Sequence, residues 1–193
     1  MSADRYDEAL VALEDHLGKK AAKHCKRVAD SAEDLARVYD VDPQSARLAG
    51  LLHDWDREQE PEALLAAAVR AGVEVAQADV VRPHLLHART GAFAAHAALP
   101  WLPDAVVSAI SRHTLGGPDM SPLDMVVYLA DMIESHRDYP GVEELRGAVG
   151  AASLEELFAL GYRQSMAHLV QSRRYIHPVT IDVWNEYVAV DHA

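Results

Sequence analysis

Three features of this 193-residue sequence predict an all-α fold of roughly eight to ten helices. Apolar residues recur at three- and four-residue steps in segment after segment. No stretch alternates in the manner of a strand over more than a few residues, and no self-similarity of roughly 20–50 residues suggests a repeat protein. Cap residues, prolines and glycines punctuate the periodic stretches where helices should begin and end.

The elements follow in order. From Tyr6 to about Leu17, Leu10, Leu13 and Leu17 share a helical face, and Gly18 closes the segment. Ala21 to Tyr39 carries Val28, Ala32, Leu35 and Tyr39 at helical steps, so His24, one turn before Val28, faces inward. Asp42-Pro43 reads as a cap followed by proline at the first helical position. The helix it opens carries Leu48, Leu51 and Leu52 into His53-Asp54 near its C-terminus. Glu60-Pro61 opens a short helix through Val69 that Gly72 ends, and a loop or partial helix follows to Arg82-Pro83. Leu85 to Leu99 reads as a helix with His87 one turn before Gly91, whose missing side chain admits a close neighbour. Asp104 is expected to cap a helix to about Ser111, with His113 to Pro118 as a loop beyond it. Ser121-Pro122 caps the next helix, on which Asp124, Tyr128, Asp131 and Glu134 form a stripe. A turn over residues 136–141 precedes a short helix from Val142 to about Ala148. Ser153-Leu154-Glu155-Glu156 is a capping box opening a long helix to about Arg174, and the last helix runs from His177-Pro178 to about Val190.

Length and composition describe one domain over residues 1–193, with its core over about 20–186. Half the residues are hydrophobic and a quarter are charged, as in a helix-rich globule and unlike a disordered chain. A formal net charge of −12 argues against nucleic acid or an anionic membrane as the main partner. Cys25 is the one cysteine, so no internal disulfide forms. No apolar run approaches a membrane span and the N-terminus lacks a signal-like region, so a cytoplasmic protein is expected.

The chemistry centres on Leu51-Leu52-His53-Asp54, where an apolar run stops on an imidazole and a carboxylate. Burying that pair is costly unless the groups are hydrogen-bonded, paired or bound to a cation. The dipeptide alone is weak, since about one His-Asp pair arises by chance in a chain with 11 histidines. Taken singly, each candidate has a plain structural reading: His24 as a core histidine, Asp131 as an arginine partner, His113 as a complement to a helix dipole. Together His24, His53, Asp54, His87, His113 and Asp131 offer what a pair of adjacent divalent ions needs, imidazole donors and a carboxylate able to bridge. Long intervals between them suit a helical bundle, whose sites are built from facing helices. Imidazole-rich ligation favours transition metals over magnesium and leaves iron, manganese, cobalt and nickel open. His16, His84, His96, His168 and His192 match no motif and read as solvated or core residues.

The order His24, His53-Asp54, His87, His113, Asp131 resembles the HD-domain metal-dependent phosphohydrolases, and the flanking text resembles their YqeK branch. The matching text includes Ala49-Gly50 before Leu51-Leu52-His53-Asp54 with Arg57 beyond, Leu86-His87 with Gly91-Ala92, and His113-Thr114 with Gly116 and Met120-Ser121. It continues with Asp124, Tyr128-Leu129-Ala130-Asp131 with Glu134, Arg137-Asp138 with Pro140-Gly141-Val142, and Ile176-His177-Pro178 with Thr180. The resemblance runs from about Lys20 to Glu186.

It implies an HD-type helical bundle that hydrolyses diadenosine tetraphosphate symmetrically to two ADP at a di-iron centre. By that resemblance His24, His53, Asp54 and Asp131 hold one iron, His87 and His113 the other, and Asp54 bridges. His53 and Asp54 are then the residues on which catalysis turns, and Arg57, Thr114, Arg137, Arg174, Tyr175 and His177 are expected to contact the nucleotide. Ala21 stands where the family usually has arginine, so Lys20 or Lys23 is left to replace that contact. Met125 and Ser135 replace a common lysine and proline without touching the ligand set.

Paired cations lower the pKa of a bound water and neutralise phosphoryl charge, so no side-chain nucleophile is required. Two other readings stay open: hydrolysis of another nucleotide, such as a deoxynucleotide or alarmone, and a non-catalytic nucleotide sensor. The native metal, the base preference and a homodimeric state are likewise open.

Overall fold

The computed structural model describes residues 3–189. Among them are eleven α-helices, one 3-10 turn and no strand. The helices are α1 (Ala3–His16), α2 (Lys19–Val38), α3 (Pro43–Leu52), α4 (Pro61–Arg70), α5 (Gln77–Val81), α6 (His87–Ala98), α7 (Asp104–Arg112), α8 (Pro122–Ile133), α9 (Val142–Ala148), α10 (Leu154–Gln171) and α11 (Pro178–Tyr187). The expected all-α class holds. The element beyond the expected number is α5, a five-residue helix in the stretch read as loop or partial helix.

The capping chemistry works largely as the sequence suggests. Asp42 accepts a hydrogen bond from the Ser45 backbone N–H at 3.0 Å, and Pro43 occupies the first turn of α3. Ser153 and Glu156 close the expected capping box on α10. A second box was not anticipated. Ser121 Oγ accepts from Asp124 N–H while Asp124 Oδ2 accepts from Ser121 N–H, and Arg112 holds that carboxylate from the side. This takes Asp124 away from the carboxylate stripe that the α8 spacing suggested. Asp104 lies inside the first turn of α7 instead of capping it, because Pro103 precedes the helix with extended backbone. The segment before His87 is a 3-10 turn, Pro83–Leu86, and α10 ends at Gln171, three residues short of the expected Arg174. The Ser172 N–H closes α10 on the His168 carbonyl, and Arg173 takes a left-handed φ of 52°, which stops the helix. The last helix ends at Tyr187; Val190 and His192 lie outside the described residues.

α3 is the central element, fully buried from Leu48 to Leu52 and packed against α1, α2, α7 and α8. Its approach to α2 depends on Gly50. A Cβ there would lie 3.0 Å from Ala29 Cα and the Val28 carbonyl oxygen, and 3.1 Å from Ala29 N, all backbone atoms. With Ala29, Ala32, Ala46 and Ala49 also buried at this seam, the small side chains let the two helices lie close. Gly91 of α6 does the same for the turn after α3, since its Cβ would meet Asp56 N at 3.1 Å. The close neighbour that Gly91 admits is therefore the turn following the His-Asp pair. The main apolar core joins α1, α2, α3, α6, α7, α8, α9, α10 and α11, and a small satellite of Leu64, Ala68 and Leu86 lies under α4. No helix among the described residues is long and apolar enough to cross a membrane.

Candidate metal centre and the hollow above it

Three helices end at one place. His53 follows the last residue of α3, His113 follows the last residue of α7, and Asp131 lies in the last turn of α8. Helix C-termini carry unsatisfied carbonyls and a partial negative charge, so their convergence favours a cation. His53 and His113 use those carbonyls. Each donates its Nδ1–H to the carbonyl three residues back, Gly50 and Ile110, at 2.8 Å in both cases. His87 repeats the device at the end of the 3-10 turn, donating to the His84 carbonyl at 2.6 Å. A carbonyl only accepts, so each Nδ1 carries a proton, and in the neutral ring each Nε2 presents a lone pair.

Those lone pairs point at one another and at Asp54. His87 Nε2 and His113 Nε2 lie 3.2 Å apart, and they are 3.1 and 3.6 Å from Asp54 Oδ1. His53 Nε2 is 3.4 Å from Asp54 Oδ2, is buried, and has no hydrogen-bond partner. His24 Nε2 is 3.0 Å from Asp131 Oδ1 and 3.7 Å from Asp54 Oδ2. Four imidazole nitrogens thus surround two carboxylates, and in the neutral rings their lone pairs meet carboxylate oxygens unless a proton or a cation lies between them. Such a donor set suits a cation, and Asp54 turns one oxygen to His24 and His53 and the other to His87 and His113. The six residues singled out from the sequence are therefore brought together, although they span five helices and the turns after them.

The electrostatics agree. Burial alone would lower the pKa of His53, but the Asp54 and Asp131 carboxylates outweigh it and lift it to about 9. Asp131 is held well below the usual carboxylate range: burial opposes this, while His24, His53 and Arg137 enforce it. Positive charge is what this cluster is built to receive.

Two residues around the ligands were not assigned a role from sequence. Glu134 is 2% exposed, and its Oε1 lies 3.3 Å from His24 Nδ1. Arg27 Nε donates to Glu134 Oε2 at 2.7 Å, and the His136 N–H donates to the same oxygen at 2.8 Å. Burial would raise the Glu134 pKa; Arg27 and the His136 N–H bring it down to about 2. His24 lies inside α2, where the backbone carbonyls are already used, so a carboxylate orients it where carbonyls orient the other three histidines. The signal was present as spacing. His24 and Arg27 on α2 face Asp131 in the last turn of α8 and Glu134 just after it, each pair three residues apart. The His84 ring also stacks on that of His87, centroids 5.0 Å apart, which its lack of a motif concealed.

A hollow of about 500 Å³ opens over the cluster, walled by Lys20, Arg57, Thr114, Tyr128, Arg137 and Ser165 besides the ligands. Arg57 Nε is 3.9 Å from Asp54 Oδ2. Thr114 Oγ1 is 2.9 Å from His113 Nε2 and 3.3 Å from His87 Nε2. Arg137 is partly committed already, with Nη2 bonded to Asp131 Oδ1 and Nε donating to the Asp131 carbonyl at 2.8 Å. Of the two lysines left to cover for Ala21, Lys20 is on this wall and Lys23 is not. Tyr175 and His177 line a second hollow of about 240 Å³ that shares Thr114, Tyr128 and Ser165 with the first. His177 is held there by Asp79, 3.3 Å from its Nε2, and accepts the Val179 N–H at the start of α11. Arg174 is exposed and lines neither hollow. Trp55 is a core residue that stacks on His16, centroids 4.4 Å apart, and Tyr128 is buried with its hydroxyl 3.1 Å from Ser165 Oγ.

Residues 21–135 match the model of the HD domain, a span that contains every candidate metal ligand. The chain belongs to the HD domain family. Relatives extend the HD likeness over almost the whole chain. A protein of Halalkalibacterium halodurans, named bis(5′-nucleosyl)-tetraphosphatase, symmetrical, is 30% identical over 93% of this chain and 95% of its own. A Bacillus subtilis protein of the same name is 27% identical over 95% and 97%. Among solved structures, a Clostridium acetobutylicum protein described as a "predicted HD superfamily hydrolase involved in NAD metabolism" superposes with a TM-score of 0.87. It is 32% identical, and the match covers 93% of this chain and 95% of that one.

Proposed function

We propose that this HD domain chain acts, as one unit in the cytoplasm, as a symmetrical bis(5′-nucleosyl)-tetraphosphatase that hydrolyses diadenosine tetraphosphate to two ADP. The observation that carries the reading is Asp54, whose two oxygens face two separate groups of imidazole nitrogens, in a chain alike over more than nine-tenths of its length to proteins of that name. His24, His53, Asp54 and Asp131 would hold one divalent ion, and His87, His113 and the second oxygen of Asp54 the other. The donor set suits later transition metals, and the resemblance of the motifs to their family makes iron the proposed pair. Bound there, two such ions supply a water acidified towards neutrality and charge neutralisation at the phosphoryl oxygens.

The chain's own residues do the rest. A protein of net charge −12 repels a polyphosphate, so Lys20, Arg57 and Arg137 reverse the sign locally on the wall of the central hollow. The Thr114 hydroxyl stands beside His87 and His113 and can donate to a phosphate oxygen. Tyr128 and Ser165, hydrogen-bonded to each other, line both the central hollow and the one walled by Tyr175 and His177. If the phosphates lie across the ligands with a nucleoside directed away from them, the attacked phosphorus is the second from one end. Water oxygen then joins that phosphorus, the bridging oxygen leaves with the other nucleoside diphosphate, and the released protons pass to solvent.

Hydrolysis in oxygen-18 water tests this. Two ADP are expected from each diadenosine tetraphosphate, one of them labelled on its β-phosphate. AMP plus ATP as main products would overturn the cleavage mode. Turnover of a different nucleotide from a panel, or of none, would favour the other HD reaction or the sensor.

A further inference from the structure

A third hollow adjoins the ligands at Asp131. It lies between the turn after α8 and the second half of α10, measures about 610 Å³, and is walled by Met132, Tyr139, Gln164 and Gln171. It shares Asp131, Met132, Arg137 and Ser165 with the central hollow, whereas the Tyr175–His177 hollow joins the central one through Thr114 and Tyr128. The two side hollows therefore join the central one at different residues, Thr114 beside His113 and Asp131 itself, and adjoin each other at Ser165 and His168. Their walls differ. The first sets Leu85, Leu115 and Tyr162 beside Tyr175 and His177, while the second sets Met132 and Pro140 beside Tyr139 and Gln171.

The second wall also carries an unresolved feature. Tyr139 Oη and Gln164 Oε1 are shielded from solvent yet have no hydrogen-bond partner, the state that also marks His53 Nε2 in the ligand cluster. Native proteins leave few such groups, and each calls for an explanation.

We propose that the Met132–Tyr139–Gln164–Gln171 hollow receives the second nucleoside of a dinucleoside tetraphosphate, so that the two identical ends of the substrate occupy chemically different seats. The inference rests on the proposed hydrolase activity. A single chain has no symmetry with which to meet a symmetrical ligand, and a polyphosphate lying over the ligands delivers one nucleoside to each side. Gln171 supplies an amide suited to the edge of a base, since the Gln164 amide nitrogen already donates to the Gly141 carbonyl and Glu144, and the other hollow supplies apolar surface and rings suited to its face.

The test uses the metal-loaded full chain and a diadenosine tetraphosphate analogue with a methylene at the central bridge and azido-adenine rings. After photolysis, cross-links are expected in two sets of peptides, one around Tyr139 and Pro140, the other around Leu115 and residues 175–180. Ala167 is exposed on the α10 wall of the third hollow, so Ala167→Trp fills that space without entering the core. It should cut the first set at least fivefold, leave the second within twofold, and raise the KM for diadenosine tetraphosphate at least tenfold. Label confined to one set, or both sets unmoved by Ala167→Trp, would overturn the proposal. Normal release of two ADP with label in one set removes this inference alone, whereas failure of the unmodified chain to release two ADP removes the hydrolase reading, whatever the labelling.

Discussion

Replacing Gly50 by alanine tests whether the ligand cluster depends on the α2–α3 seam. Helix propensity alone would make this change stabilising by about 1 kcal/mol. The structure reverses the sign. The new Cβ would lie 3.0–3.1 Å from Ala29 Cα, Ala29 N and the Val28 carbonyl oxygen, and none of these backbone atoms can rotate out of the way. Overpacking typically costs about 1–3 kcal/mol. A contact made wholly with backbone belongs at the upper end, so the net loss should be about 2 kcal/mol. For a chain of this size that lowers Tm by about 4–8 °C. α2 carries His24 and α3 leads into His53 and Asp54, so moving the helices apart should weaken the site at His24 before the one at His87 and His113. Thermal unfolding of the metal-free chain, with metal content measured beside it, reads both effects. Gly147→Ala is the control, because nothing lies within 4 Å of its Cβ; it should hold or slightly raise Tm. A Gly50→Ala chain as stable as its parent, with full metal content, would refute the reasoning.

Other substitutions probe the ligands. Asp54→Ala should lose most of both metals and His87→Ala mainly the second, by elemental analysis of purified protein; full occupancy in Asp54→Ala would sink the bridging assignment. Glu134→Gln removes the charge behind His24 and should weaken metal binding there about 10–100-fold in a chelator competition. An unchanged affinity would reduce Glu134 to a partner of Arg27. Arg137→Lys should raise the KM for diadenosine tetraphosphate and also lower metal content, since the guanidinium holds the Asp131 carboxylate as well as facing the hollow. A raised KM with metal content untouched would confine Arg137 to substrate grip.

The helical class and most boundaries were legible because periodicity and caps are local. Asp42-Pro43 and Ser153 with Glu156 act within three residues of themselves, and the structure keeps them as read. The inward face of His24 and the position of His53-Asp54 at a helix end could be read in the same way. What spacing could not supply was competition between partners. Asp124 shares a stripe with Asp131, yet it turns to Ser121 and Arg112, because a capping box and a neighbouring helix reach it first. Arg137 looked free to grip phosphate, but folding places it against the end of α8, where Asp131 takes part of its donor set. Glu134 was visible as text and silent as to role, since its partners His24 and Arg27 are distant in sequence and meet it only when α2 packs on α8.

The histidines that donate to the last carbonyls of α3, the 3-10 turn and α7 have a bearing on how the chain assembles. Each ring is aimed by its own local turn, but the lone pairs meet only after helices far apart in sequence have docked. A metal ion offered to the unfolded chain would find donors separated by long loops, whose closure is entropically costly. It cannot organise this fold in the way that zinc organises a short finger with closely spaced ligands. Loading should therefore come late, on a scaffold already formed. Chelation should then leave the helices in place and release only the charge held at their convergence.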